Sequence, residues 1–177
     1  MKYVVFDVET PNERNDRMSS IAIAVVEGGE IIREYYSLIN PQTYFNAFNV
    51  SLTGITPDVV KNAPTFPEAF REMKPLLDEG ILVAHNAPFD MAVLKKCLDY
   101  YGIFWRERVK YACTCKMARR IYPSLPSKRL DALCSEFKIP LDHHNAKSDT
   151  RAAAELLIRY EKEGFFAEAF ATDYLLI

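Results

Sequence analysis

The sequence predicts an α/β layer fold, with a mixed central sheet flanked by helices. Three observations carry that prediction: strand-length apolar runs come first, helical periodicity follows, and from residue 81 onward strand and helix alternate. Tyr3-Val4-Val5-Phe6 is apolar on both faces, the pattern of a central strand covered on both sides. Residues 19–26 and 31–39 read as two more strands, and Glu27-Gly28-Gly29-Glu30 between them reads as a hairpin turn. The first three strands therefore form an antiparallel meander. Residues 40–56 read as a loop carrying Tyr44, Phe45 and Phe48. Thr65-Phe66-Pro67-Glu68 is a capping box that opens a helix bearing Phe66, Phe70, Met73 and Leu77, with Pro75 kinking its end. Ile81-Leu82-Val83-Ala84 is a further buried strand, followed by helices over 88–101, 114–121, 128–137 and 146–161. Residues 164–177 keep Phe166, Phe170 and Tyr174 at helical spacing, which predicts a terminal helix packed on its own domain.

At 177 residues the chain reads as one domain over 1–177, since a single core grows to about 250 residues before it splits. With 49% apolar and 26% charged residues, and only 6 Gly and 10 Pro, disordered and low-complexity classes are excluded. No apolar run reaches membrane length, so the expected location is the cytosol and no membrane partner is expected. Cys97, Cys113, Cys115 and Cys134 are too few and too irregularly spaced for a disulfide framework or a zinc site, and read as reduced, buried thiols. The net charge of −2 is unlike that of a protein gripping a duplex over its whole surface. Residues 106–129 nevertheless carry eight basic side chains against Glu107 alone. That segment reads either as a local basic track or as a solvated helical face.

The informative residues are acids at positions where a core is expected. In the helix after Pro88, the stripe Val93, Leu94, Cys97, Leu98 continues back to Asp90. In the helix from Ala146, the stripe Ala153, Leu156, Leu157, Tyr160 continues back to Asp149. Asp7 and Glu9 lie two apart at the end of the central strand, so the pleat projects both to one face and Val8 to the other. One inward carboxylate is ordinarily a cap or an ion-pair member. Four converging carboxylates repel one another and require a cation. Oxygen-only ligands suit the hard ions Mg²⁺ or Mn²⁺, which keep waters and accept phosphate oxygens.

Three histidines accompany them. His144 lies five residues before Asp149, which places it on the loop ahead of that helix, within reach of the cleft and suited to take a proton from water. His143 reads as a solvent-facing loop residue and His85 as a buried, hydrogen-bonded residue at a strand end.

Asp7-Val8-Glu9-Thr10, His85-Asn86-Ala87-Pro88-Phe89-Asp90 and His144-Asn145-Ala146-Lys147-Ser148-Asp149 resemble, in order and chemistry, the three motifs of the DEDDh exonuclease family. That family includes the proofreading epsilon subunit of bacterial DNA polymerase III. Leu52-Thr53-Gly54-Ile55-Thr56 and Ala63-Pro64-Thr65-Phe66 also resemble the segment joining the first two motifs in epsilon-like enzymes, and the likeness runs over residues 2–157. It implies an RNase H-like fold and stepwise hydrolysis from 3′ ends to nucleoside 5′-monophosphates, with two divalent ions, Mg²⁺ or Mn²⁺. Carried over position by position, Asp7 would touch both ions, Glu9 and Asp149 would hold the one that activates water, and Asp90 would serve the second. His144 would be the general base. Thr10, through its backbone, with Thr53, Ile55, Asn86 and Phe89, would contact the terminal nucleotide, although Phe89 is equally suited to core packing.

The sequence thus predicts a metal-dependent 3′–5′ exonuclease acting on single-stranded ends, DNA before RNA. An exoribonuclease of the same family is one alternative. An accessory module docking a polymerase or repair partner through its terminal helix is another. The basic segment is expected to act on affinity through Arg119 and Arg120.

Overall fold

The computed structural model of the chain describes residues 1–176. Five strands form in the first two thirds: β1 (Lys2–Glu9), β2 (Ser20–Glu27), β3 (Glu30–Leu38), β4 (Ile81–Ala84) and β5 (Arg108–Cys113). A sixth, β6 (Thr172–Leu175), closes the chain, and the sheet order is β3-β2-β1-β4-β5-β6. β1 is central, as its two-sided apolarity requires, antiparallel to β2 and parallel to β4. Gly28 and Gly29 take φ of 62° and 78°, the left-handed pair that turns β2 tightly into β3. Gly80 lies against β1 so closely that a Cβ there would stand 2.1 Å from the Lys2 carbonyl oxygen, so only glycine brings β4 in beside the central strand.

Seven helices complete the described residues: α1 (Ala47–Thr53), α2 (Pro57–Val60), α3 (Phe66–Leu77), α4 (Pro88–Tyr100), α5 (Thr114–Ile121), α6 (Leu130–Phe137) and α7 (Ala146–Lys162). They cover the sheet as two layers. Val4, Phe6 and Val8 pack against α3 and α4, whereas Tyr3 and Val5 pack against α5, α6 and α7. The alternation along β1 thus sends Asp7 and Glu9 toward the α7 layer. The α3 capping box forms as read, with both Thr65 N–H and Thr65 Oγ1 donating to Glu68. All four cysteines are free and buried. No helix among the described residues is long and apolar enough to cross a membrane.

The structure corrects three local expectations. Residues 164–177 do not form the terminal helix: Ala167–Phe170 is a 3-10 turn, Thr172–Leu175 is β6, and Ile177 lies outside the described residues. The spacing of Phe166, Phe170 and Tyr174 imitates a helical stripe, but β5 offers an open edge, and ladder hydrogen bonds outweigh a weak local preference. The segment still packs on its own domain, with Leu176 buried and Lys95 Nζ donating to the Leu176 carbonyl at 2.6 Å. The loop at 40–56 contains α1, whose N-cap Asn46 accepts from the Asn49 N–H and whose end is turned by Gly54 at φ 72°. Arg108–Cys113, read only as part of a basic stretch, is strand β5.

Candidate active site

The site lies at the C-terminal ends of the parallel strands β1 and β4, where the chain leaves the sheet for the helices on its two faces. A cleft of about 700 Å³ opens there, lined by Asp7, Glu9, Asp149, His85, His143 and His144 among others. One carboxylate oxygen each from Asp7, Glu9 and Asp149 lie within 4.8 Å of one another. Asp7 and Glu9 reach this point through the pleat of β1, and Asp149 through the first turn of α7, which packs across β1 and β2. Asp90, in the first turn of α4, is 2% exposed, and its Oδ1 accepts from the Val8 N–H at 3.2 Å. That bond ties α4 to the strand between the two acids.

The electrostatics follow from this crowding. Burial, then Asp90, Glu9 and Asp149 in turn, push the Asp7 carboxyl well above the usual carboxylate range. Burial followed by repulsion from Asp149 and Asp90 raises Glu9 to about 8. Asp90 is raised to about 8 chiefly by burial, despite its backbone hydrogen bonds. Asp149 is also raised by burial, against the pull of His143. Among the described residues no Lys or Arg forms an ion pair with any of the four. A buried, oxygen-only donor set without a protein cation fits a hard divalent ion.

The histidines divide the remaining work. His85 uses both ring nitrogens, Nδ1 at 2.9 Å from Thr114 Oγ1 and Nε2 at 3.0 Å from the Lys128 carbonyl oxygen. A carbonyl only accepts, so Nε2 carries the hydrogen and Nδ1 accepts from the threonine hydroxyl. Burial, which lowers its pKa to about 4, keeps this ring neutral. It binds the end of β4 to the segment carrying Ser127, Lys128 and Arg129, which also lines the cleft.

His144 stands on the loop before α7 as expected, with φ 68°, and its N–H donates to Asp149 Oδ2 at 3.0 Å. Burial followed by the neighbouring His143 lowers its pKa, which favours the neutral ring a base requires. His143 departs from expectation: it is half-buried, with Nδ1 at 3.2 Å from Asp149 Oδ1, and its ring stacks on that of His144 at 4.0 Å. The tight turn ahead of α7 brings both imidazoles to the cleft, a geometry that sequence spacing alone does not display. Asn86 is the other cleft residue in the left-handed region, at φ 64°. Such conformations cost about 1–2 kcal/mol each and concentrate at functional sites.

Of the residues expected at a terminal nucleotide, Asn86 and Phe89 line the cleft. Thr10 borders an adjoining groove with Phe48, Asn49 and Leu52, and Asn49 Nδ2 donates to the Thr10 carbonyl at 2.8 Å. Thr53 and Ile55 line neither space. The Thr53 hydroxyl donates to the Asn49 carbonyl and accepts from the Ile55 N–H, while Ile55 is 7% exposed. These two shape the end of α1. The basic segment is also divided. Arg119, Lys128 and Arg129 line the cleft, Arg106 pairs with Asp78, and Arg120 does not reach the cleft.

Residues 4–157 match the RNase_T family, described as Exonuclease. The chain belongs to this exonuclease family. The exonuclease is 38% identical over 166 residues to DNA polymerase III PolC-type of Bacillus subtilis, covering 91% of this chain and 11% of that protein. Its likeness to the same polymerase of Listeria innocua is 36% over 169 residues, 91% of this chain and 12% of that one. The chain thus spans about a ninth of the length of these relatives. Among solved structures it is similar to exonuclease X in complex with 5′-overhanging duplex DNA, with a TM-score of 0.77, 25% identity, and coverage of 95% and 96% of the two chains. The nuclease domain of 3′hExo, a DEDDh family member bound to rAMP, shares the fold at a TM-score of 0.78 and 19% identity, over 92% of each chain. The chain thus carries the exonuclease domain of this family in the fold that these nucleases share, and its acidic cluster is of the kind that could hold divalent metal.

Proposed function

We propose that this exonuclease removes nucleotides one at a time from single-stranded 3′ ends, DNA in preference to RNA, and releases nucleoside 5′-monophosphates. The observation that carries the reading is the group of Asp7, Glu9 and Asp149 oxygens within 4.8 Å, beside His144 and, among the described residues, without a Lys or Arg ion-pair partner. Asp7, Glu9 and Asp149, with Asp90 behind them, would hold two divalent ions, Mg²⁺ or Mn²⁺. Such a pair lowers the pKa of the attacking water and stabilises the departing 3′ oxygen.

The chain's own residues do the rest. The neutral imidazole of His144 receives the proton of the water that attacks the terminal phosphorus, and Glu9 orients that water. Asn86 and Phe89 border the position of the terminal nucleotide, where an aromatic face accepts an unstacked base. Arg119, Lys128 and Arg129 line the same cleft and would meet the backbone phosphates, with His85 fixing the Lys128 backbone. Preference for DNA rests on the polymerase relatives, and they also support a polymerase or repair assembly as the natural setting. The retained carboxylates and His144 weigh against a purely docking role.

The test is digestion of a 5′-labelled single-stranded DNA oligonucleotide and its RNA counterpart with Mg²⁺, Mn²⁺ or chelator, using wild type and Asp7→Ala. A descending ladder that requires both metal and Asp7, faster on DNA, is expected. A faster RNA ladder assigns the chain to ribonucleic ends. No ladder from folded protein on either strand overturns the reading.

A further inference from the structure

Asp149 belongs to two donor groups. One is the oxygen-only set shared with Asp7 and Glu9, and the other is His143, His144 and Asp149, whose donor atoms also lie within 4.8 Å of one another. The hydrolytic reading uses the first group and leaves His143 without a task. Two imidazoles and a carboxylate form the nitrogen-rich set that suits Zn²⁺, whereas Mg²⁺ and Mn²⁺ favour carboxylate and water.

The spacing agrees with the chemistry. A tetrahedral ion with bonds of about 2.0–2.1 Å holds its donors roughly 3.3 Å apart. His143 Nδ1 stands 3.2 and 3.3 Å from the two Asp149 oxygens. The rings of His143 and His144 lie side by side at 4.0 Å with an interplanar angle of 21°, and a ring nitrogen of each already stands within 4.8 Å of the other and of an Asp149 oxygen. The backbone is already set, because the His144 N–H is bonded to Asp149 Oδ2 and α7 begins directly after the turn. Both rings are half-buried at the cleft wall, which leaves a fourth position to water.

We propose that His143, His144 and Asp149 form a second metal site, selective for Zn²⁺, which shares Asp149 with the oxygen-only site so that the two cannot be filled independently. Zinc there withdraws Asp149 and His144 from hydrolysis, a consequence that rests on the function proposed above. The site itself stands on geometry and is tested by binding, so a failure of the nuclease reading and a failure of this site are distinguishable.

The experiment is calorimetric titration of the metal-free full chain with Zn²⁺ and separately with Mn²⁺, for wild type, His143→Ala and Glu9→Gln, alongside the visible absorption of Co²⁺ as a zinc surrogate. His143→Ala is expected to weaken Zn²⁺ at least about tenfold and leave Mn²⁺ within about twofold, and Glu9→Gln to do the reverse, on the scale at which perturbing a metal's ligand shell acts. Saturating Mn²⁺ should raise the apparent Kd for Zn²⁺, and the Co²⁺ bands of nitrogen ligation should vanish in His143→Ala. His143→Gln repeats the test if the alanine variant folds poorly. Zinc affinity unchanged in these His143 variants, or weakened equally by Glu9→Gln, overturns the proposal by placing zinc among the carboxylates.

Discussion

Asp149 is held in place at a cost. It is 4% exposed beside Asp7 and Glu9, and burial raises its carboxyl although His143 and the His144 N–H stand against it. Asp149→Asn keeps the shape and removes one repelling charge. The variant is expected to lose at least about 100-fold in kcat/KM, because several kcal/mol of charge stabilisation goes with the carboxylate. In chelator its Tm should equal or exceed that of wild type, measured by calorimetry, since the repulsion it relieves serves function rather than stability. A markedly lower Tm without metal would instead identify Asp149 as a structural ion-pair member.

The same crowding sets a pH dependence. Glu9 and Asp90 have folded-state values of about 8, above the ordinary carboxylate value they regain on unfolding, so the folded chain binds more protons than the unfolded one in between. Their stabilising contribution is full below the unfolded value and is lost as pH rises through about 8. In chelator, the stability contributed by these groups therefore declines from mildly acidic to mildly alkaline pH. Divalent metal must displace those protons, so the Tm gained on adding Mn²⁺ should grow as pH rises across the same interval. Scanning calorimetry with and without Mn²⁺ over that interval checks the sign.

Among the elements, α5 and the turn leading into α6 decide how the basic segment is used. α5 buries Thr114, Cys115, Met117 and Ala118 and exposes its basic face. Only Arg119 on that helix's basic face reaches the cleft, joined there by Lys128 and Arg129. Arg119→Gln is expected to raise KM several-fold and flatten its dependence on salt, with kcat little changed, while Arg120→Gln moves neither. Steady-state assays across a salt series separate the two. Equal effects of both substitutions would return the segment to a diffuse electrostatic role.

At the scale of the whole molecule, the central strand β1 serves both core layers and also delivers Asp7 and Glu9 to its own end. Strand β6 protects the opposite side of the sheet by pairing with β5 through Arg108–Leu175, Val109–Tyr174, Lys110–Asp173 and Tyr111–Thr172. A chain ending at Glu163 removes this strand and the buried Leu176 and leaves β5 as an open edge. It is expected to lose at least about 2 kcal/mol in denaturant unfolding, the scale of one buried leucine, and to self-associate. Partner binding lost in such a truncation would therefore report on folding unless the unfolding curve is unchanged.

Much of the site was legible in the sequence because it rests on local periodicity. The alternation of β1 places Asp7 and Glu9 on one face, and the helical stripes behind Val93 and Ala153 reach back to Asp90 and Asp149, with no knowledge of the fold required. The meander, the α3 cap and the loop position of His144 are likewise consequences of residues near one another in the chain. Tertiary structure decided the remainder: that His143 turns onto Asp149, that His85 clasps the Lys128 carbonyl, that Arg119 faces the cleft, and that the terminal segment is a strand. Each of these depends on a partner supplied by another turn, wall or sheet edge. Periodicity states which face of an element is apolar, whereas the identity of what stands opposite that face is set only when the layers pack and the open edges of the sheet find their hydrogen bonds.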